Sequence, residues 1–253
     1  MKYTDQTGRE VILEGIPKRI ISLVPSQTEL LYDLGLEDEL VGVTKFCVHP
    51  VAAKQKAQII GGTKNFRFEV IDKLKPDLII GNKEENYQSG IEQLAEKYPV
   101  WLSDIYDLND ALKMISQVGQ LVGKVNEAMT MSEQIKRGFD HLPKRRLGSA
   151  AYLIWNDPIM AVGSQTFIDD MLKRVGFENA VTQSRYPELS LETLEKLQPD
   201  YLLLSSEPFP FQDKHTLFFK EHLPNTHVEI VDGEMFSWYG SRLFKSLAYF
   251  HKF

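Results

Sequence analysis

The strongest constraint on this chain is a segment that occurs twice. Glu69-Val70-Ile71-Asp72-Lys73-Leu74-Lys75-Pro76-Asp77-Leu78-Ile79-Ile80 aligns without a gap on Glu192-Thr193-Leu194-Glu195-Lys196-Leu197-Gln198-Pro199-Asp200-Tyr201-Leu202-Leu203. Each copy reads as a helix stopped by a proline, which lacks the amide hydrogen needed to continue it, followed by an apolar run suited to a buried strand. A looser match sets Ser26-Gln27-Thr28 and a helix to Gly35 beside Ser164-Gln165-Thr166 and a helix to Gly176. A chain that repeats one grammar in its two halves is expected to fold as two similar α/β lobes, with a natural ligand cleft between the copies. Helix-proline-strand order is also common in α/β proteins, so the repeat alone leaves an ordinary α/β domain open.

The remaining periodicity fits the same class. Ile20 to Val24, Val41 to Val43, Asp77 to Gly81 and Val100 to Leu102 are short apolar runs separated by amphipathic stretches, the pattern of a mainly parallel sheet. Ser26 with Glu29 three residues on has the spacing of a capping box and predicts a helix start at Ser26, with Gly35 as its stop. From Leu108 to Leu142 helical spacing persists with one break at Gly123. Leu108, Leu112, Ile115, Val118, Leu121 and Val122 form one stripe, and Val125, Ala128, Met129, Ser132, Ile135 and Phe139 continue it. The second helix, Val125 to Leu142, is roughly 25 Å long at 1.5 Å per residue, the length of a rigid connector or of an ordinary surface helix. The expected division is an N-terminal α/β lobe over 1–123, a connecting helix over 124–143 and a C-terminal α/β lobe over 144–253.

Composition narrows the function. A chain of 253 residues can build a core without covalent staples, and its single Cys47 cannot close an internal disulfide. With 29 basic against 35 acidic residues and a net charge of -6, a nucleic acid or anionic membrane is a poor partner. No run approaches the roughly 18 apolar residues of a membrane span. Met1 to Glu10 lacks the apolar stretch of a secretory signal, so the chain reads as a protein that stays where it is made or as a mature form without its leader. Nucleophile-elbow, phosphate-loop, zinc-protease and paired-cysteine motifs are all missing. His215, His222 and His227 are close in sequence, but Pro224 separates the last two, and they read as surface histidines.

Val24-Pro25-Ser26-Gln27-Thr28-Glu29-Leu30, followed by Gly35 and Val41-Gly42-Val43-Thr44, resembles the helical-backbone substrate-binding proteins of ABC importers, which capture cobalamin, ferric siderophores and haem. Thr4 to Val11 and Pro17 to Leu23 are similar to that family's opening strands. The likeness runs nearly end to end and is greatest to the cobalamin-binding branch. It implies two pseudo-repeated α/β lobes with mainly parallel sheets, joined by a long backbone helix, with the ligand cleft between them. It also implies an extracytoplasmic, monomeric binding protein with no intrinsic cofactor. The cargo would be a metal-containing chelate, a corrinoid ahead of a ferric siderophore or haem, delivered to a permease dimer. Glu69 and Glu192 then dock on permease arginines, one from each lobe; without the resemblance, each is a carboxylate favoured near a helix start by the helix dipole. A cytosolic binder of a similar ligand and a chelatase-like enzyme are the alternatives.

The resemblance also assigns cleft residues. From the first lobe come Pro25 and Ser26, Phe46 and His49, Lys64 and Asn82; from the second, Trp155, Met160, Tyr186, Phe209, Phe236, Trp238, Tyr239 and Arg242. Phe46 would cover a ligand face, and His49 would stack on it, ligate a metal or only hydrogen-bond. Cys47 reads as a small buried residue. Lys64 and Asn82 fall where cobalamin binders carry aromatics, which makes the first lobe more polar than a corrinoid pocket requires. Arg242 would pair with a ligand carboxylate or phosphate, or enter an internal ion pair. Aromatics interleaved with polar loop residues suit a flat amphipathic ligand.

Overall fold

In the computed structural model, which describes residues 1–253, the two copies of the repeated segment adopt the same geometry. Phe68–Leu74 and Leu191–Leu197 are both seven-residue helices. Each ends in a non-glycine residue with left-handed backbone, Lys75 at φ 47 and Gln198 at φ 42. The prolines that follow disfavour right-handed helix at these positions, and the left-handed turn lets each amide close on the carbonyl four residues back, Ile71 or Leu194. The next residue is an aspartate with one job in both copies. Asp77 accepts the amides of Lys18 at 2.7 Å and Arg19 at 2.8 Å, and Asp200 accepts the amide and hydroxyl of Ser149 at 2.7 and 2.9 Å. Each carboxylate thus stitches the amino end of its own strand to that of the strand beside it. The Ser149 amide, then its hydroxyl, hold the Asp200 carboxyl below the usual aspartate range.

The chain divides into two compact units, one of Met1–Asp104, Asn109–Lys136 and Tyr239–Arg242, the other of Ile105–Leu108, Arg137–Trp238 and Leu243–Phe253. This is not the expected run of three consecutive blocks, because the Tyr239–Arg242 segment, late in the chain, belongs with the first unit.

In the first unit β1 (Lys2–Thr4) and β2 (Glu10–Ile12) pair antiparallel. There follow β3 (Ile20–Ser22), α1 (Pro25–Asp33), β4 (Leu40–Val43), α2 (Val51–Lys56), β5 (Gln58–Ile59), the small pair β6 (Gly61–Gly62) and β7 (Asn65–Phe66), α3 (Phe68–Leu74), β8 (Leu78–Asn82), α4 (Gln88–Ala95) and β9 (Val100–Ser103). Two longer helices, α5 (Leu108–Leu121) and α6 (Val125–Asp140), come next. The main sheet has the order β5-β4-β3-β8-β9 with every neighbour parallel. The winding direction reverses between β3 and β8, and the crevice at the carboxyl ends of such strands is where open α/β sheets bind ligands.

The second unit holds β10 (Gly148–Asn156), β11 (Ile159–Ala161), α7 (Phe167–Val175), β12 (Phe177–Asn179), α8 (Leu191–Leu197), β13 (Tyr201–Ser205), α9 (Asp213–His222), β14 (His227–Val231), α10 (Gly233–Ser237) and α11 (Leu243–Phe250). β10, β13 and β14 run parallel, β12 continues the sheet along the first half of β10, and β11 pairs antiparallel with its second half. The reversal here lies between β10 and β13. Ala151, Leu153, Leu202, Leu204, Phe219 and Val228 belong to one buried cluster under this sheet.

Three local expectations need correction. Ser26 forms no capping box: α1 begins at Pro25 behind Val24, with no side-chain cap. Proline suits the first helical position because its missing amide has no partner there in any case. In the looser match, Thr166 caps α7 by accepting the Asp169 amide at 3.2 Å, while Ser164 lies in a bridge to Ser184, so Ser26 and Ser164 are not equivalent. On α6, Val125 and Met129 are 41% and 51% exposed, and the buried face is Ala128, Ser132, Ile135 and Phe139. The close approach explains this, since a Cβ added at Gly119 of α5 would overlap that of Ala128 and so centres the contact there.

The left-handed turn before Pro199 carries a cost for any side chain, roughly 1 kcal/mol, which glycine avoids. Gln198→Gly is expected to raise the urea-unfolding free energy by about 0.5–1 kcal/mol; a lowered midpoint would show that the turn is not strained.

Candidate ligand-binding site

At the carboxyl ends of the first unit's strands the side chains are polar because they build the loops. Gln27 donates to Ser103 Oγ at 2.7 Å and to the Gly81 carbonyl at 3.1 Å. Asn82 donates to the same hydroxyl at 3.0 Å, and its side-chain oxygen accepts the amides of Glu84 and Glu85. Asn82 is therefore a buried loop anchor. Tyr239, also buried, donates to Glu85 at 3.1 Å; burial first, then the Glu85 charge, pushes its phenol well up. Pro25 and Ser26 are buried in the first turn of α1. Cys47 is fully buried between the hydroxyls of Thr28 and Thr44, and burial raises its thiol.

Phe46 is the open aromatic of this unit, 49% exposed, with the Lys45 ammonium 4.9 Å from its ring centre. His49 is half-buried in the same loop, and Lys64 is exposed with its ammonium on the Glu84 carbonyl at 2.7 Å. Arg242 takes the second of its two expected roles, an internal ion pair, through Nε, while its Nη2 is buried without a hydrogen-bond partner. Its Nε donates to Glu29 at 2.7 Å, and both side chains are nearly inaccessible, so the guanidinium neutralises a buried carboxylate of α1. This bond joins residues 213 positions apart. It also accounts for Glu29, which the capping-box reading had placed elsewhere.

The second unit gathers aromatics at the carboxyl ends of β10 and β13. Trp155, 39% exposed, meets Phe209 edge to face at 5.6 Å. Phe209 continues to Phe211 at 4.8 Å and to His215 at 5.3 Å. The Trp155 indole is fixed by its N–H on the Asp157 carbonyl at 3.0 Å. His215 is more than a surface histidine: it forms a reciprocal capping box with Gln212 at the start of α9, its Nδ1 accepting the Gln212 amide at 2.9 Å. That bond leaves the ring hydrogen on Nε2. Its position three residues after the cap was the available signal. Tyr186 and Tyr106 lie on the Arg185 guanidinium at 5.6 and 5.5 Å, and Met160 is half-buried on β11.

Two expected ligand aromatics are structural. Phe236 is fully buried, packed on Tyr152 at 5.3 Å and Phe250 at 4.9 Å. Trp238 is 8% exposed and donates its indole N–H to Glu207 Oε1 at 2.9 Å, the oxygen that also accepts Ser237 Oγ at 2.8 Å. Asp232 caps α10 through the Glu234 amide; α10 holds Phe236 in the core, and Trp238 closes its end. Burial pushes the Glu207 carboxyl up against the opposing pull of these hydrogen bonds. Beside it, at the carboxyl ends of β13 and β14, is an open cavity of about 480 Å³ lined by Ser206, Glu207, Ile230, Val231, Asp232 and Glu234. No group of three or more His, Cys, Asp or Glu side chains is placed to hold a metal ion.

Residues 20–228, most of both sheets, match the model of one protein family, described as periplasmic binding protein. The chain belongs to the periplasmic binding protein family. Among sequence relatives of this member, an uncharacterised ABC transporter substrate-binding lipoprotein of Bacillus subtilis is 27% identical over 212 residues, covering 79% of this chain and 67% of the relative. A vitamin B12-binding protein of Vibrio vulnificus is 29% identical over 206 residues, covering 77% and 74%. In fold, this periplasmic binding protein is similar to a periplasmic heme binding protein from Pseudomonas aeruginosa, with a TM-score of 0.81 at 22% identity over 92% of this chain and 91% of the other.

Two outcomes follow from the site's buried charges. Arg242→Ala removes the guanidinium that Glu29 accepts from at 2.7 Å and is expected to lower stability by about 3–5 kcal/mol, whereas Arg242→Met combined with Glu29→Met should recover most of the loss; equal losses in both would show that packing, not charge, matters there. For Glu207, burial makes the folded state bind the proton more tightly, so its contribution to stability is full below the ordinary glutamate range and is lost as pH rises through the folded value. Glu207→Gln keeps an acceptor for Ser237 and Trp238, and its unfolding free energy in urea should gain on the parent as pH rises above the ordinary glutamate range, by at most about 1.4 kcal/mol per pH unit. A difference constant with pH would mean that Glu207 does not titrate differently in the two states.

Proposed function

We propose that this protein is the substrate-binding component of an ABC importer and that its cargo is a metal chelate, a corrinoid ahead of a ferric siderophore or haem. The observation that carries the reading is the pair Glu69 and Glu192. Each is the second residue of a seven-residue helix and is exposed, and each precedes the same left-handed turn, proline and strand-stitching aspartate. A permease dimer offers two equivalent receptors, and a duplicated carrier offers two equivalent carboxylates, which arginine guanidinium groups hold in paired hydrogen bonds. In the second unit Lys196 screens Glu192 at 2.6 Å, but such an exposed i,i+4 pair is worth only about 0.3–0.5 kcal/mol and yields to a bidentate arginine.

The naming of the Bacillus subtilis relative supports the importer role, and the vitamin B12-binding relatives support the corrinoid preference. Cargo contacts come from the accessible aromatics, Phe46 in one unit and Trp155, Phe209 and Tyr186 in the other, with Met160 beside them and His49 as the one candidate to reach a metal. Rings of this kind give large contact area at small cost in rotamer freedom. The protein acts outside the cytoplasm, binds without catalysis, and carries no cofactor of its own.

Glu69→Lys combined with Glu192→Lys tests the docking role. Binding to the purified permease in nanodiscs should be lost while cargo affinity stays within twofold. Retained permease binding, or a collapse of cargo affinity, would sink it.

A further inference from the structure

We infer that His215 is a positioning residue for the cargo surface of the second unit and makes cargo capture sensitive to acid, full while its imidazole is neutral and weakened when the ring takes a proton. This rests on the reading above that Trp155 and Phe209 contact cargo. The ground is the kind of atom that each histidine faces. His141, His222 and His251 each set Nδ1 against a main-chain carbonyl, at 2.7, 2.9 and 2.8 Å. A carbonyl only accepts, so Nδ1 donates there in either charge state. His215 Nδ1 instead faces the Gln212 amide at 2.9 Å, and an amide N–H only donates. A neutral ring accepts that hydrogen; an imidazolium has no lone pair left to do so.

What depends on this bond is the start of α9. Gln212 is the N-cap, and its side chain accepts the His215 amide in return, so the two residues close a reciprocal box. Glutamine is outside the set favoured at an N-cap, and histidine stands where glutamate or glutamine is usual, so neither half of the box is strong without the other. Protonation removes the acceptor and also sets a positive charge at the positive end of the helix dipole. Asp213 in the same turn opposes that second effect, and Lys214 beside it adds to it. The elements packed against the ring bring two further carboxylates, Glu207, which holds Ser237 and Trp238, and the exposed Asp157 beyond Trp155.

The cap reaches the cargo surface through rings. His215 lies edge to face against Phe209 at 5.3 Å and Phe211 at 5.4 Å, and Phe209 meets Trp155 at 5.6 Å. Phe211 is anchored in the core of the unit. Phe209 is held less firmly, because it stands between Pro208 and Pro210, which have no amide hydrogen to give, and its own amide reaches the Ile154 carbonyl at a long 3.4 Å. Where the backbone holds a loop this weakly, ring contacts set its position. Movement of His215 off its cap therefore displaces Phe209 and the face that it shares with Trp155.

His215→Gln and His215→Glu both keep an acceptor at the third helical position, and neither loses it between about pH 7.5 and 5.5, where histidine changes charge. Two readouts on the full chain separate the cap from the cargo. In hydrogen exchange corrected for the intrinsic effect of pH, protection at the start of α9 in the parent is expected to fall at least about threefold over that interval, and in either variant by less than about 1.5-fold. Calorimetric affinity for whichever of cyanocobalamin, a ferric catecholate complex and haemin the parent binds should weaken at least about threefold more with acid in the parent than in the variants. The same pH response in parent and variants, in either readout, overturns the role of His215 and leaves the metal-chelate reading standing. So does a cap that loosens with acid while cargo affinity does not move. No binding of any of the three at either pH removes that reading, and the inference with it.

Discussion

One carboxylate at the amino end of each sheet organises the rest. Asp77 and Asp200 sit at the same place in the repeat, each one residue after a proline and two after a left-handed turn. Through backbone amides, each fastens the start of its strand to the start of the neighbouring strand. Fixing two parallel strands at their amino ends sets the register of both. It also fixes where their carboxyl ends fall, and the loops at those ends are free to carry function because the frame below them is already determined. Duplication of this lock is what makes Glu69 and Glu192 equivalent, since each is held eight residues before its aspartate on the same short helix.

The two carboxyl-end surfaces have been put to different uses. In the first unit, Gln27, Asn82 and Ser103 bind one another and the loop backbone, so a polar sequence there reports loop construction as much as ligand chemistry. In the second, a ladder runs from Trp155 through Phe209 to Phe211 and His215, exposed at Trp155 and buried at Phe211, while the cavity beside β13 and β14 is lined by three carboxylates.

What was legible in the sequence was whatever depends on neighbours in the chain. The helix-proline-aspartate-strand segments, the parallel sheets and the break at Gly123 all follow from local pattern, and they are found where that pattern put them. What was illegible depends on partners far away. Glu29 has the spacing of a cap residue, yet it is claimed by Arg242 from the far end of the chain. Phe209 and Phe236 both stand in aromatic-polar stretches. One is half-buried in the ladder and the other fully buried, because Phe236 is on the capped helix α10, which turns it onto Tyr152. The same limit applies to Trp238, whose indole would serve a ligand equally well were Glu207 not within reach.

The account stands most directly on capture of a metal chelate by this one chain. Tryptophan emission of the purified protein should be quenched saturably, with one-to-one stoichiometry and a dissociation constant of micromolar or below, by at least one of cyanocobalamin, a ferric catecholate complex and haemin, the cobalamin first among them. An emission that does not change with any of the three, while calorimetry shows no heat of binding, would contradict it.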